Sequence, residues 1–404
     1  MQHTLSGIEL WDGRISRGPS TISWTHSDTD AVITSVGEAS TIAADSMGLS
    51  VIPGLIDTHV HLIGNAGKQQ AGFLTWPLTT RPEEQVLHGL AHARRAMTAG
   101  VTTMRDLSAD EVQVSLRRGI EGGLVEGPRV LAYGLVGMTG GHGDMFIPAA
   151  HPIRKPTADG PDECRKLVRY WARAGVDGIK IATSGGVLSD GDKAAWRNYT
   201  RAEIDAVVDE AHALGMKVAA HAHTADGIDI AIEAGVDSLE HATLITAEQA
   251  AAAVVAGITL APTLLINDVI ATGMPGVSPE QSEKAQELVV TRDALMRAAA
   301  DIGAEFVLGT DANGFHVKFG DEMAEVRRMS EVLGYSPERA LQAATSRAAR
   351  VIGHEDSLGT LAPGYLADFV VMRGRPWEDS AALDVANIVA VVARGRVVFG
   401  ALPH

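Results

Sequence analysis

The sequence predicts an α/β protein: a (β/α)8 TIM barrel with a small β-sandwich domain formed from both chain ends. Three observations lead there. Over residues 51–353, short apolar runs alternate eight times with amphipathic helical patterns, the rhythm of a closed parallel barrel. Four junctions read as a helix-ending glycine followed at once by a strand: Ala99-Gly100-Val101, Ala174-Gly175-Val176, Ala234-Gly235-Val236 and Ala256-Gly257-Ile258. Residues 1–50 and 354–404 are instead turn-rich, with short alternating stretches, and one small β domain made from both ends is the economical reading.

Taken in order, the head offers small antiparallel strands at 8–11, 31–36 and 41–43. At Ser50 the texture changes, and 51–57 is a nearly continuous apolar run, as expected of a strand buried on both faces of a parallel sheet. Further strands are expected at 101–106, 130–134, 178–182, 217–221, 237–241, 258–262 and 306–311. Helical patterns lie between them at 83–99, 162–174, 201–214, 225–234, 247–256 and 279–302. Ser336 as N-cap and Pro337 at the first helical position open a terminal helix in SPERALQAATSRAARVIG. Strands return at 359–364, 367–373 and 388–399.

Composition narrows the function classes. The 404 residues are 46% hydrophobic and 21% charged, an ordinary globular balance that excludes disorder, collagen and coiled coil. Lys+Arg 34 against Asp+Glu 50 leaves a net charge of −16, which repels phosphate backbones and argues against nucleic acid. A single cysteine, Cys164, points to a reducing compartment. The first twenty residues lack an apolar signal core and no run is long enough to span a membrane, so a cytoplasmic protein is expected. A small-molecule substrate is the expected partner, and a homo-oligomer is compatible with the sequence.

The chemistry concentrates at strand ends. The first barrel strand ends in Asp57-Thr58-His59-Val60-His61, and alternate strand residues share a face, so His59 and His61 point together into the barrel mouth. Alone, such a pair arises often by chance and reads more readily as two satisfied structural histidines than as a metal site. The fifth strand, however, ends in His221-Ala222-His223, the sixth in His241 and the eighth in Asp311. Imidazoles and a carboxylate around one axis form a donor set for a divalent transition metal. The fourth strand puts Lys180 in an apolar run, where burial favours the neutral amine. That amine could form a Schiff base, as in a barrel aldolase, or take up CO2 as a carbamate bridging two metals. The surrounding donors favour the carbamate over both the aldolase and a lysine reaching for solvent.

Together these residues resemble the amidohydrolase superfamily over nearly the whole chain. His59-x-His61, Lys180, His221, His241 and Asp311 match its binuclear motif in order and strand position. The tail from Gly359 to Asp368 resembles part of its small β-sandwich. The Thr139-Gly140-Gly141-His142-Gly143 loop and His221-Ala222-His223 resemble the imidazolonepropionase-like branch that holds Xaa-Pro dipeptidases and N-acyl amino acid carboxypeptidases.

The resemblance implies two divalent metal ions, with Zn²⁺ the expected species and Mn²⁺ or Co²⁺ open. His59, His61 and Asp311 would hold one, His221 and His241 the other, and N6-carboxylysine at Lys180 would bridge them. A metal-bridging hydroxide would attack the amide of a dipeptide or N-acyl amino acid, with Asp311 as proton shuttle. His142 would reach the developing oxyanion, His223 would contact substrate, and His316 is a weaker candidate at the mouth. His88, His92, His151, His212 and His354 read as ordinary surface residues. The segments 64–80, with Trp76, and 264–278 would close the pocket.

The runner-up is hydrolysis of a carbamate, urea or other xenobiotic amide. A lactonase or phosphotriesterase shares the metal set. A mononuclear deaminase would not need Lys180 and usually carries a Glu after the fifth-strand His, where this chain has Ala222-His223-Thr224. A barrel scaffold that has lost its ligands is disfavoured because every ligand type is present.

Overall fold

The computed structural model describes residues 2–26, 30–67, 72–73, 75–151, 154–189 and 191–403. The head contributes β1 (Gln2–Trp11), β2 (Ser16–His26), β3 (Ala31–Glu38) and β4 (Leu49–Pro53). The barrel staves are β5 (Leu55–Val60), β6 (Val101–Ala109), β7 (Arg129–Leu135), β8 (Gly178–Ala182), β9 (Lys217–Ala222), β10 (Ser238–His241) and β11 (Thr259–Ala261). The tail adds β12 (Phe369–Arg373), β13 (Ile388–Ala393) and β14 (Arg396–Gly400).

Two seven-stranded sheets result. Both chain ends merge in the first, whose order is β14-β13-β12-β4-β1-β2-β3, with β1 and β4 parallel and the other pairs antiparallel. β13 and β14 form a hairpin through Arg394 and Gly395, both at positive φ (51° and 72°), as a two-residue type I′ turn requires. The second sheet runs β5 to β11 in sequence order, all parallel.

Residues 306–312 close the barrel as a set of single bridges rather than a regular strand. Val307 N donates to Leu260 O at 2.9 Å, Thr58 N to Leu308 O at 2.9 Å and Asp311 N to His59 O at 2.7 Å. Gly309 lets this eighth stave approach its neighbours, since a Cβ there would lie 2.8 Å from that of Ala261 and 3.0 Å from that of His59. The Asp57 carboxylate stitches the seam by accepting from Thr310 Oγ1 at 2.6 Å and Thr310 N at 3.1 Å.

Several expectations change in detail. The apolar run 51–57 is shared between the sheets: β4 ends at Pro53 and β5 starts at Leu55. Residues 41–43 and 359–364 form no strand, β2 was not anticipated, and 388–399 is two strands. The terminal helix is two, Pro337–Ala343 and Ser346–Val351. Helices Glu111–Glu121, Leu264–Ala271 and Glu322–Leu333 add to the expected set, the second inside the segment read as a closing loop. Residues 225–234, 247–256 and 279–302 are helical as expected, each stopped by a left-handed glycine. Among the described residues, no helix is long and apolar enough to cross a membrane.

Gly54 is the pivot between the sheets. A Cβ there would lie 2.2 Å from Thr102 Oγ1 and 2.4 Å from Thr102 Cγ2, both on a buried residue of β6. Gly54→Val is expected to lower unfolding free energy by about 1–3 kcal/mol, as overpacking does. Urea unfolding measures this, and an unchanged midpoint would show that the junction has room to spare.

Candidate active site

The site forms at the carboxyl ends of the barrel staves because side chains there alternate between the barrel interior and the surrounding helices. His59 from β5, His61 just beyond it, Lys180 from β8, His221 from β9, His223 just past that strand, His241 from β10 and Asp311 from the eighth stave all line one cavity. It encloses about 1250 Å³, part of it open to solvent. Ring centroids lie 4.5 Å apart for His221 and His241, 4.6 Å for His221 and His223, and 5.1 Å for His59 and His241.

Each imidazole on this floor has one nitrogen engaged by the protein. His59 Nδ1 lies 2.9 Å from Glu240 Oε2, and His221 Nε2 lies 3.2 Å from Gly185 O. Both partners only accept, which makes these nitrogens the protonated ones and leaves His59 Nε2 and His221 Nδ1 with lone pairs. His223 Nδ1 pairs with Thr243 Oγ1 at 2.8 Å, and His241 Nδ1 with Thr263 Oγ1 at 2.7 Å. Asp311 Oδ1 lies 3.0 Å from His61 Nε2 and 3.7 Å from His59 Nε2.

Burial sets the protonation states. It pushes the His59 imidazole down to about 4, with Lys180 reinforcing the shift, and His223 down to about 3. His221 and His241 fall well below the usual range for the same reason. Desolvation lowers Lys180 to about 8, so a neutral amine is accessible near physiological pH. Burial alone would raise Asp311, but His59 and His61 outweigh it and hold the carboxyl at about 2.

The donors fall into groups able to hold a cation. Ligand atoms of His221, His223 and His241 lie within 4.8 Å of one another, as do those of His59, His241 and Asp311. Lys180 Nζ is buried with no hydrogen-bond partner. An unpaired buried amine among lone pairs and a carboxylate is costly by itself, and suits a site completed by cations. His223, expected only to contact substrate, stands in the first of these groups.

Other predicted residues fall differently. His142 lines the cavity and stacks on His221 at 4.2 Å, and burial lowers it to about 4. His316 is buried, bonded through its backbone N to Asn313 Oδ1 at 2.9 Å, and is not among the cavity-lining side chains. Trp76 is a core anchor, 5% exposed and edge-on to His88. His92 is no surface residue: its helix face turns inward, and it is 1% exposed against Phe319. Of the segment 64–80, residues 68–71 and 74 lie outside the described residues. Its remaining part supplies Phe73, Pro77 and Leu78 to the cavity wall. Helix Leu264–Ala271 adds Ile266, Asn267 and Ile270, Phe146 and Ile147 follow β7, and Val187 and Leu188 follow β8.

Sequence reading missed the floor of the site. Arg105 from β6 is 1% exposed and donates to Thr58 O at 2.6 Å, Ser238 Oγ at 3.1 Å and Glu240 Oε1 at 2.7 Å. Burial alone would raise Glu240, but Arg105 and His59 hold it far below the usual carboxylate range. A charge inside an apolar strand was the available signal, the same one that singled out Lys180. Backbone strain marks the place as well: Ser108, His241, Ala242, Thr263 and Asp311 have φ between 47° and 76°, all at or just beyond stave ends.

The model of the Amidohydrolase family matches residues 50–398. Ochratoxinase of Aspergillus niger is 30% identical over 369 residues, covering 86% of this chain and 75% of that protein. Imidazolonepropionase of Deinococcus deserti is 27% identical over 385 residues, covering 89% and 85%. Among solved structures, a Xaa-Pro dipeptidase with methionine bound in its active site has a TM-score of 0.87 at 31% identity, covering 98% of this chain and 99% of that one. The A. niger ochratoxinase structure has a TM-score of 0.85 at 26% identity, covering 99% and 96%.

Arg105→Met leaves the Glu240 carboxylate buried without its guanidinium and is expected to cost about 3–5 kcal/mol of stability. Arg105→Met with Glu240→Leu removes both charges and should recover most of that loss. Chemical denaturation checks both, and a single variant within about 0.5 kcal/mol of the parent would contradict the role assigned to the pair.

Proposed function

Since this chain belongs to the amidohydrolase family, we propose that it is a binuclear metal-dependent hydrolase that cleaves the amide bond of a dipeptide or N-acyl amino acid. The observation that carries the reading is the buried, unpartnered Lys180 Nζ within a ring of imidazoles, three of which, His221, His223 and His241, already have one nitrogen hydrogen-bonded to the protein. His59, His61 and Asp311 would hold one ion and His221 and His241 the other, with Lys180 as N6-carboxylysine between them. His223 offers a further imidazole beside the second set. When bound, such ions supply Lewis-acid polarisation of a carbonyl and a water acidic enough to ionise at neutral pH.

The protein's own groups do the rest. Asp311, held ionised by His59 and His61, accepts a proton at its carboxylate and returns it to the departing nitrogen. Glu240 keeps the proton of His59 on Nδ1, which turns the Nε2 lone pair toward the shared centre. The walls bind the substrate: Phe73, Leu78, Phe146, Val187, Ile266 and Ile270 present an apolar surface that excludes water and favours a bulky apolar side chain or acyl group. The relatives support the class, since one is named a Xaa-Pro dipeptidase and another an ochratoxinase.

The test is a screen of dipeptides and N-acyl amino acids with the metal-replete protein. Substrates with aromatic or branched aliphatic groups should be turned over in preference to charged ones, and chelation should abolish turnover. Asp311→Asn, with unchanged circular dichroism, should lose roughly 10²- to 10⁴-fold in kcat, the range for a general acid–base group. Full activity in that variant, or no amide hydrolysis by metal-replete enzyme, would overturn the reading.

A further inference from the structure

A chain of hydrogen bonds ends on His142 and is not used by the mechanism above. It comes from the loop after β8 and from helix Pro279–Ile302. Ser189 Oγ donates to Asp192 Oδ2 at 2.6 Å and lies 3.2 Å from His142 Nδ1. Lys284 Nζ donates to Asp192 Oδ1 at 2.8 Å and to Ser189 O at 2.7 Å. Gly186 N donates to Asp192 Oδ2 at 3.3 Å. Ser189 and Asp192 are 0% and 3% exposed.

The direction of this chain follows from the groups in it. A carboxylate paired with an ammonium only accepts, so the single proton of the Ser189 hydroxyl is directed at Asp192. What Ser189 then offers His142 is an oxygen lone pair, and Nδ1 must be the nitrogen that carries hydrogen. Nε2 is left as an acceptor. The ring is also held in place, stacked on His221 at 4.2 Å with Phe146 edge-on at 4.9 Å. Gly186 lies close to the ring, where a Cβ would come within 2.0 Å of Cε1 and 2.1 Å of Nδ1.

We propose that Ser189, Asp192 and Lys284 are positioning residues that set the tautomer of His142, so that toward substrate this imidazole accepts a hydrogen bond at Nε2 instead of donating one. The group it meets is therefore an N–H of the substrate, such as that of the amide or of a free amino end, and not the oxyanion assigned to it from sequence. The kinetic part of this inference rests on the amide-hydrolase reading; the tautomer does not.

Long-range ¹H–¹⁵N correlation spectra of histidine-labelled, metal-replete protein test it, with the His142 signal assigned by its loss in His142→Gln. The parent should show the Nδ1–H form, and Ser189→Ala should shift His142 toward a mixture of tautomers. Ser189→Ala should also lower kcat/KM on the best amide substrate by roughly 10- to 100-fold, the range for groups that orient a site residue. Asp192→Asn should give the same two changes. An Nε2–H form in the parent, or the parent tautomer retained in Ser189→Ala, would overturn the proposal without touching amide hydrolysis. Failure to find an amide substrate would leave the spectra to decide the tautomer.

Discussion

Charge buried at the mouth of an apolar barrel is the constraint on which the rest of this structure depends. Arg105 reaches from β6 to Glu240 on β10, and Glu240 reaches His59 on β5, so one run of charge-assisted contacts ties three staves together. With Arg105 and Glu240 1% and 0% exposed, a guanidinium or carboxylate left alone there would be untenable. A well-packed apolar pair often serves folding as well, but it would leave His59 Nδ1 without the carboxylate that lies 2.9 Å from it. The same logic extends upward, where threonine hydroxyls and a backbone carbonyl each engage one nitrogen of the remaining imidazoles.

Strain and loop length then convert that floor into a site. His241 and Asp311 occupy left-handed backbone that non-glycine residues seldom adopt, and both sit where a stave gives way to a loop. The closing ladder of the eighth stave and the Thr310–Asp57 contacts hold Asp311 in that geometry. Loops after four staves supply the apolar wall, so the barrel fixes the chemistry while the loops set what is admitted.

Much of this was legible in the sequence, for identifiable reasons. A parallel barrel writes each stave as an apolar run, and alternation puts His59 beside His61 without reference to anything distant. The left-handed glycines at Gly175, Gly235 and Gly257 announced the turns between helices and staves. The division of 51–57 was hidden because both strands are apolar, and only their partners differ: β4 pairs with β1 and β12, whereas β5 pairs with β6. His92 looked like a surface residue because helical periodicity does not say which loop packs over a helix. The Ser189–Asp192–Lys284 chain was invisible because Lys284 stands far along the sequence from the loop it anchors. Arg105 and Glu240 were readable in principle, as charges in buried strands, but their pairing needed the barrel to be closed.

The central claim is that Lys180 joins the imidazoles in holding two cations. Its most direct test is elemental analysis of the protein titrated with Zn²⁺ in the presence of bicarbonate, for the parent and for Lys180→Ala. The parent should retain two equivalents per chain after desalting, and the variant should lose at least one while keeping its fold. Two equivalents in both, or none in the parent, would contradict the claim.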